Sequence, residues 1–421
     1  MNVQQVRAQV PALRNFVWFQ NGFVSLTPTP IAEEHIRLMR ELHEGGPMHL
    51  LHPEVEYPRR AASMARIARF LSVAPSELAL KHAVSDGYHT LLHGLEWRRG
   101  DQIIITEEEQ AALLVPALHL RDALKVEVVK VPLVNDIEGQ VQAFEERITA
   151  RTRLIAISHV TTDRGYRLPV TEICRTARSR GVLTFLDMAH SIGLYPIDLY
   201  EVGCDFAGIL SYKWTYAPYS VGALYVRQDR VGALRQIPAP SRAARLLDHE
   251  TEAYEVPQTA EQFQSGPWSW PLVHTWAFAL DWLTGIGRDS IWERTLALTG
   301  RLKSALRQVP GVVLHTPEAP ELSAALVCFS LDGWDGPGLA GALKARWNIE
   351  IKALPLPKDS LRASIAFFLL EDEIDLLADA VRTLAAEGPA RRRSPVGRMP
   401  APKKLSAPRP RPRLAHGRGR P

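Results

Sequence analysis

The chain has little cysteine and no long apolar run. Its three cysteines, Cys174, Cys204 and Cys328, are too few and too scattered for a disulfide framework or a zinc site. No stretch of about 18 uninterrupted apolar residues occurs, so no membrane-spanning helix is expected. The opening Met1-Asn-Val-Gln-Gln-Val-Arg lacks the apolar centre of a secretory signal. These absences predict a cytoplasmic protein without a membrane partner. Acidic residues are missing from one region only. From Gly388 to Pro421 there are 11 Lys or Arg and no Asp, Glu or aromatic residue, which leaves 39 basic against 46 acidic residues in the body. The net charge of +4 therefore hides an acidic body and a basic tail. The tail is Pro-rich and poor in apolar residues, and it buries too little to offset the entropy of ordering it. Its charge would attract nucleic acid or other acidic partners. With no aromatic residue to stack on bases, we read it as disordered and favour an inert tail over one that contacts nucleic acid.

What is present suits a large, water-soluble body. At 421 residues and 46% hydrophobic, the chain can bury a sizeable core and holds more than one domain. Apolar strand candidates fall at 78–80, 102–106, 126–131, 154–158, 182–186, 206–210 and 222–226. Between them, 86–97, 110–120 and 170–180 show apolar residues near helical spacing. Continuous apolar strands alternating with helices imply a mostly parallel sheet covered on both faces, whose ligands bind beyond the carboxyl ends of the strands. Helices are expected at 30–43 and 53–71, and a less regular stretch follows Val226 to about Gln262. A helix carrying Trp276 and Trp282 comes next, then a long one near 292–309. The pattern then changes to strands at 326–331, 349–352 and 361–367 and helices at 337–347 and 372–386, a small α+β module.

Two residues stand at the ends of neighbouring strand candidates. Asp187 follows Val182–Leu186, and Lys213 follows Phe206–Leu210, 26 positions later. An amine and a carboxylate so placed suit pyridoxal phosphate. The amine forms the Schiff base, and the carboxylate keeps the pyridine nitrogen protonated so that the ring stores electrons. Taken singly, each also reads as an ordinary exposed lysine or a helix-capping aspartate. Their surroundings carry the distinction.

Those surroundings resemble the class V aminotransferases, a family that includes cysteine desulfurases, isopenicillin N epimerase-like proteins and cystine C–S lyases. The resemblance runs from about Phe16 to Glu387. It rests on Trp18-Phe-Gln-Asn-Gly-Phe, on Gly94-Leu-Glu-Trp-Arg-Arg-Gly-Asp-Gln-Ile-Ile-Ile-Thr and on Thr152-Arg-Leu-Ile-Ala-Ile-Ser-His-Val. Gly222-Ala-Leu-Tyr-Val-Arg and the Arg-x-Ser of Leu361-Arg-Ala-Ser complete it, and order and spacing make these tokens specific. The fold it implies is α/β, the pyridoxal-phosphate-dependent transferase fold (fold type I). A large domain with a mostly parallel seven-stranded sheet is joined there by a smaller α+β C-terminal domain. On this chain the resemblance divides residues into an arm (1–30), a large cofactor-binding domain (31–262), interface helices with the small domain (263–387) and the tail (388–421).

The same resemblance assigns roles. The turn at Val84 and Ser85 should receive the cofactor's phosphate, at a helix N-terminus whose free amides favour an anion; Ser85 is also an ordinary N-capping type. Gln110 stands where many relatives stack a histidine on the ring, and His190 lies near the cofactor's phenolic oxygen as a candidate acid/base. Thr162 replaces a frequent Asn. Before the lysine, Ser211 and Tyr212 stand in place of a Ser/Thr-Gly-His pattern, as substitute phosphate donors. Pro267 replaces a Thr that reaches the partner subunit's phosphate, so the phosphate cup is rebuilt. Trp268 and Trp270 would line the substrate entrance of a shared site in a homodimer. Arg362, with its planar fork, would bind the α-carboxylate of an amino-acid substrate.

A desulfurase needs a nucleophilic cysteine on the loop before the Arg-x-Ser strand, and Lys352-Ala-Leu-Pro-Leu-Pro-Lys-Asp-Ser has none. Cys328, inside Ala325-Leu-Val-Cys-Phe, reads as core. The expected chemistry is that of a lyase, an epimerase or a transaminase, with catalytic Lys213, Asp187 and His190 and no metal. A fold kept for binding alone, with its cup altered, is the competing class.

Overall fold

Ile103 and Ile105 face one side of their strand and Ile104 the other, and all three are fully buried. A strand apolar on both sides belongs inside a sheet that is covered on both faces. The computed structural model, which describes residues 1–235 and 246–388, has such a layer at its centre. Seven strands lie in the order Leu78–Lys81, Gly222–Val226, Phe206–Leu210, Leu183–Asp187, Thr152–Ser158, Gln102–Thr106 and Glu127–Val131. Only Gly222–Val226 runs against its neighbours; the other pairings are parallel. On one face Ile103, Ile105, Leu154 and Phe185 pack with Leu91 and Leu113, from the helices Val84–Gly94 and Ala111–Leu124. On the other, Ile104, Ile155 and Leu186 join Ile173 of Val170–Ser179 and Trp276 of Trp270–Ile286 in one cluster.

A second, four-stranded antiparallel sheet follows in the order Val312–Leu314, Leu326–Leu331, Ser360–Ser364 and Lys352–Leu354. The helices Arg288–Arg307, Gly336–Trp347 and Glu371–Glu387 belong with it. Met1–Gly388 form one compact unit. The N-terminal segment crosses this unit as a short strand, Val17–Trp18, paired in parallel with Ile349–Glu350. Its next residues reach the second sheet, where Gln20 bridges to Ser364 and the Ser364 amide donates to the Phe19 carbonyl at 2.8 Å.

Several boundaries differ from the sequence expectation. The strand expected over 349–352 is two strands with different partners, because Ile349–Glu350 pairs with the arm and Lys352–Leu354 with the Arg362 strand. The Arg362 strand stops at Ser364, although the apolar run continues through buried Phe368. A helix at Ile137–Glu145 was not legible, since it is short; its N-terminus is fixed by the Asp136 carboxylate on the Gly139 amide. Residues 236–245 of the irregular stretch and the tail beyond Gly388 lie outside the described residues.

Candidate active site

Asp187 is the last residue of its strand, opposite Ser158 on one side and Gly208 on the other. Lys213 follows the adjacent strand by three residues and is 8% exposed. Its loop is fastened at consecutive carbonyls. The Ser25 amide and hydroxyl donate to the Tyr212 carbonyl at 3.0 and 2.9 Å, and the Asn21 side-chain amide donates to the Lys213 carbonyl at 3.2 Å. From the other side, Gly193 (φ 87°) lies so close to the Trp214 carbonyl that a methyl group there would collide with it. The position of the lysine is therefore set by the N-terminal segment and by the loop after Asp187.

The electrostatics follow from burial. Desolvation pushes the Lys213 ammonium down to about 8, against the opposing pull of Asp187. The Asp187 carboxyl is pushed up by burial and drawn down by Lys213 and by the Ala189 amide, which donates to it at 2.8 Å. His190 Nε2 lies 3.1 Å from Lys213 Nζ, and Trp214 Nε1 donates to His190 Nδ1 at 3.4 Å. Because an indole only donates, this contact assigns the ring proton to Nε2. Burial also holds His190 well below its ordinary value, with Lys213 acting in the same direction. A neutral ring with its N–H toward Lys213 suits an amine with a free lone pair.

The remaining expected residues divide by position. Val84 is buried at the start of its helix and Ser85 follows it. The N-cap is Ala83, which supplies no side-chain bond, so Ser85 is the second helical residue and not the cap. Gln110 precedes the next helix and its side-chain amide lies 3.5 Å from the Asp187 carboxylate. Thr162 contributes its carbonyl, which accepts from Arg362 Nη1 at 2.7 Å. Arg362 is 2% exposed, its Nε has no partner among the described residues, and burial pushes its pKa down to about 10 while Asp163 opposes the shift. Ser364, two residues along the same face of that strand, also has an unpartnered, buried hydroxyl. A Cβ on Gly22 would fill the gap beside it, 2.8 Å from Ser364 Oγ and 3.3 Å from His190 Cε1. Ser211 is turned away: its hydroxyl donates to the Pro218 carbonyl. Tyr212 is half-buried and stacked on Tyr219, with ring centroids 4.7 Å apart. Trp268 packs on His82, at 4.5 Å between centroids.

One residue had no sequence signal. Glu109 is buried, and Thr106 Oγ1, Ser158 Oγ and the Ser158 amide all donate to its carboxyl. A run such as Glu107-Glu-Glu reads as a solvated face, and only the fold shows which of the three turns inward.

With the geometry in place, comparison with known proteins agrees with it. Residues 59–377 match the family model for aminotransferase class-V, and the chain belongs to that family of pyridoxal-phosphate-dependent enzymes. It is 30% identical over 336 residues to the isopenicillin N epimerase of Streptomyces clavuligerus, covering 76% of this chain and 83% of that one. It is 24% identical over 405 residues to a probable cysteine desulfurase of Methanothermobacter thermautotrophicus, covering 92% and 99%. The fold matches the cystine C–S lyase C-DES, solved with cysteine persulfide (TM-score 0.81, 22% identity, 89% of this chain and 99% of that one). It also matches a cysteine desulfurase from Thermococcus onnurineus (TM-score 0.82, 21% identity, 91% and 98%). Among the described residues no helix is long and apolar enough to cross a membrane, and no cluster of metal-ligating side chains occurs.

The donor set fits the cofactor. Among the described residues, Asp187 keeps one carboxylate oxygen with no hydrogen-bond partner closer than the 3.5 Å contact of Gln110, the Val84–Gly94 helix starts without a side-chain cap, and the Lys213 amine acts on Asp187. The Asp187 field on Lys213 has a measurable sign. A carboxylate favours the ammonium form, so Asp187→Asn should lower the Lys213 pKa further. The pH profile for trapping a small aldehyde on Lys213 of the cofactor-free protein, counted by peptide mapping, should move its midpoint below that of the wild type. A midpoint that stays put or rises would deny that coupling.

Proposed function

We propose that this chain moves the α-proton of a free amino acid: Lys213 would hold pyridoxal phosphate covalently in the resting protein and, once the substrate's amine had taken its place there, would be free to act as the base. The observation that carries the reading is a buried lysine amine, brought near neutrality, between His190 and the field of Asp187. Asp187 would hold the ring nitrogen. The uncapped helix N-terminus at Val84 and Ser85 would take the phosphate, and Gln110 would cover the ring. Bound in this way, the cofactor supplies an electron sink for the charge left at the α-carbon. Arg362 orients the substrate by its carboxylate, and its unpartnered Nε supports that role. His190 holds the amine of Lys213 ready to accept the proton, and Tyr212, whose phenol is kept protonated by burial, is placed in the same loop as a donor.

Proton transfer at the α-carbon is common to elimination, epimerisation and transamination, and the proposal covers that shared step. The reading does not extend to desulfuration through a cysteine nucleophile. All three cysteines are buried, and burial pushes the Cys328 thiol up to about 12. The division into arm, large domain and small domain, with boundaries near 30, 262 and 387, belongs to the same reading. So does a two-fold homodimer, in which Phe263–Trp270 faces the partner's site.

Borohydride reduction of the cofactor-loaded protein, followed by peptide mapping, should place the cofactor's mass on Lys213. If Lys213 stays unmodified, the fold serves binding alone. The same sample should sediment at twice the 47.0 kDa chain mass; a single-chain mass removes the shared site. Arg362→Ala should weaken an amino-acid ligand by roughly one to three decades, the loss of a charge-assisted pair. A simple amine without a carboxylate should bind as before. Equal weakening of both would make Arg362 a structural residue.

A further inference from the structure

Glu109 has no part in the function proposed above, yet its surroundings are as ordered as those of Asp187. Ser158 Oγ donates to it at 2.6 Å and Thr106 Oγ1 at 2.7 Å, and the Ser158 amide lies 3.1 and 3.2 Å from its two oxygens. Every polar neighbour is placed as a donor. An ionised carboxylate can use all of these donors at once, whereas a protonated acid would have to turn one of the two hydroxyls into an acceptor. Ser158 is also the strand partner of Asp187, and the His159 amide donates to the Asp187 carbonyl at 2.9 Å. The two acids therefore flank one strand end, linked through a single serine.

We propose that Glu109 is a positioning residue whose carboxylate, one hydrogen-bond layer behind Asp187, favours a protonated ring nitrogen on the cofactor held by Asp187. This rests on the cofactor reading above and goes beyond it. Two neighbouring carboxylates in a dry site repel, and a proton placed against one of them relieves the repulsion. The coupling is reciprocal: an ionised Glu109 favours the protonated ring, and the protonated ring favours an ionised Glu109.

The groups that face Glu109 are few. Asp187 comes from its strand and Tyr88 from the Val84–Gly94 helix, and both interact with it electrostatically. Glu107 and Glu108, beside it in the chain, are paired with Arg164. Lys213 acts on Asp187 and His190, and Arg362 acts on His190. Burial first, with Asp187 adding to it, pushes the Glu109 carboxyl up to about 7 against its three donors. Its support for ring protonation is therefore present above neutral pH and fades below it.

The test uses 4′-deoxypyridoxine phosphate, which keeps the ring and the phosphate but cannot bond to Lys213. Its dissociation constant is measured from pH 5.5 to 8.5 for the wild-type protein, Glu109→Gln and Ser158→Ala, with the absorption band of the bound ring as a second readout. Glu109→Gln should weaken binding about tenfold at pH 8.5, equivalent to one unit in the ring nitrogen's pKa, and hardly at all at pH 5.5. Its bound-ring band should shift to the unprotonated form at lower pH than in the wild type. Ser158→Ala, which removes one donor and so delays ionisation of Glu109 to higher pH, should bind the analogue more weakly than the wild type near pH 7 and recover toward it at pH 8.5, and it carries the test if Glu109→Gln does not fold. Equal weakening at both pH values, or no weakening at either, overturns the inference while leaving the cofactor reading intact. If the wild-type protein binds the analogue at no pH, the cofactor reading fails and this inference fails with it.

Discussion

Buried ionisable side chains meet around the candidate site, among them Lys213, Asp187 and Glu109 at the carboxyl end of the parallel strands and Arg362 on the second sheet. A lone ion in such a place costs far more than a small domain's whole stability, and proteins respond by moving its pKa or by pairing it. Both responses are visible. The two cations are pushed down and the two acids up, each against a neighbour that resists the shift. The lysine comes to rest where an amine can take up and release a proton near physiological pH, so the stress that burial puts on the fold is also the source of its reactivity.

The same desolvation separates useful groups from inert ones. Cys174, Cys204 and Cys328 are as deeply buried as Lys213, but each thiol is pushed away from its reactive anion. Lys213 is pushed toward its reactive form, because the neutral state of an amine is the nucleophile and that of a thiol is not. Burial alone therefore sorts the nitrogen from the sulfur nucleophiles in this chain.

How much of this was legible depended on the kind of signal. The strand ends of Asp187 and Lys213 follow from apolar runs buried on both faces, and a period-free apolar stretch of five residues survives small boundary errors. The Arg-x-Ser context places Arg362 on a strand, and that strand ends at Ser364, three residues before the apolar run suggests. Ser211 looked like a phosphate donor by place in the chain, whereas the loop turns its hydroxyl back to Pro218. Glu109 could not be told from Glu107 and Glu108, because its inward direction depends on Ser158, a residue 49 positions away. Local chemistry was readable, but the direction of a side chain at a turn was not.

The N-terminal segment joins the two halves of this arrangement over a very short span. Gln20 bridges to Ser364, two residues past Arg362, and Asn21 holds the carbonyl of Lys213. Consecutive Cα atoms are about 3.8 Å apart, and that separation does not stretch. A single peptide unit thus gauges the distance between the strand that would read a carboxylate and the loop that would move a proton. Swinging one sheet away from the other to admit a ligand would break one of these two attachments. Entry by side-chain motion, or by release of the segment itself, leaves the gauge intact or removes it altogether, with no graded opening between.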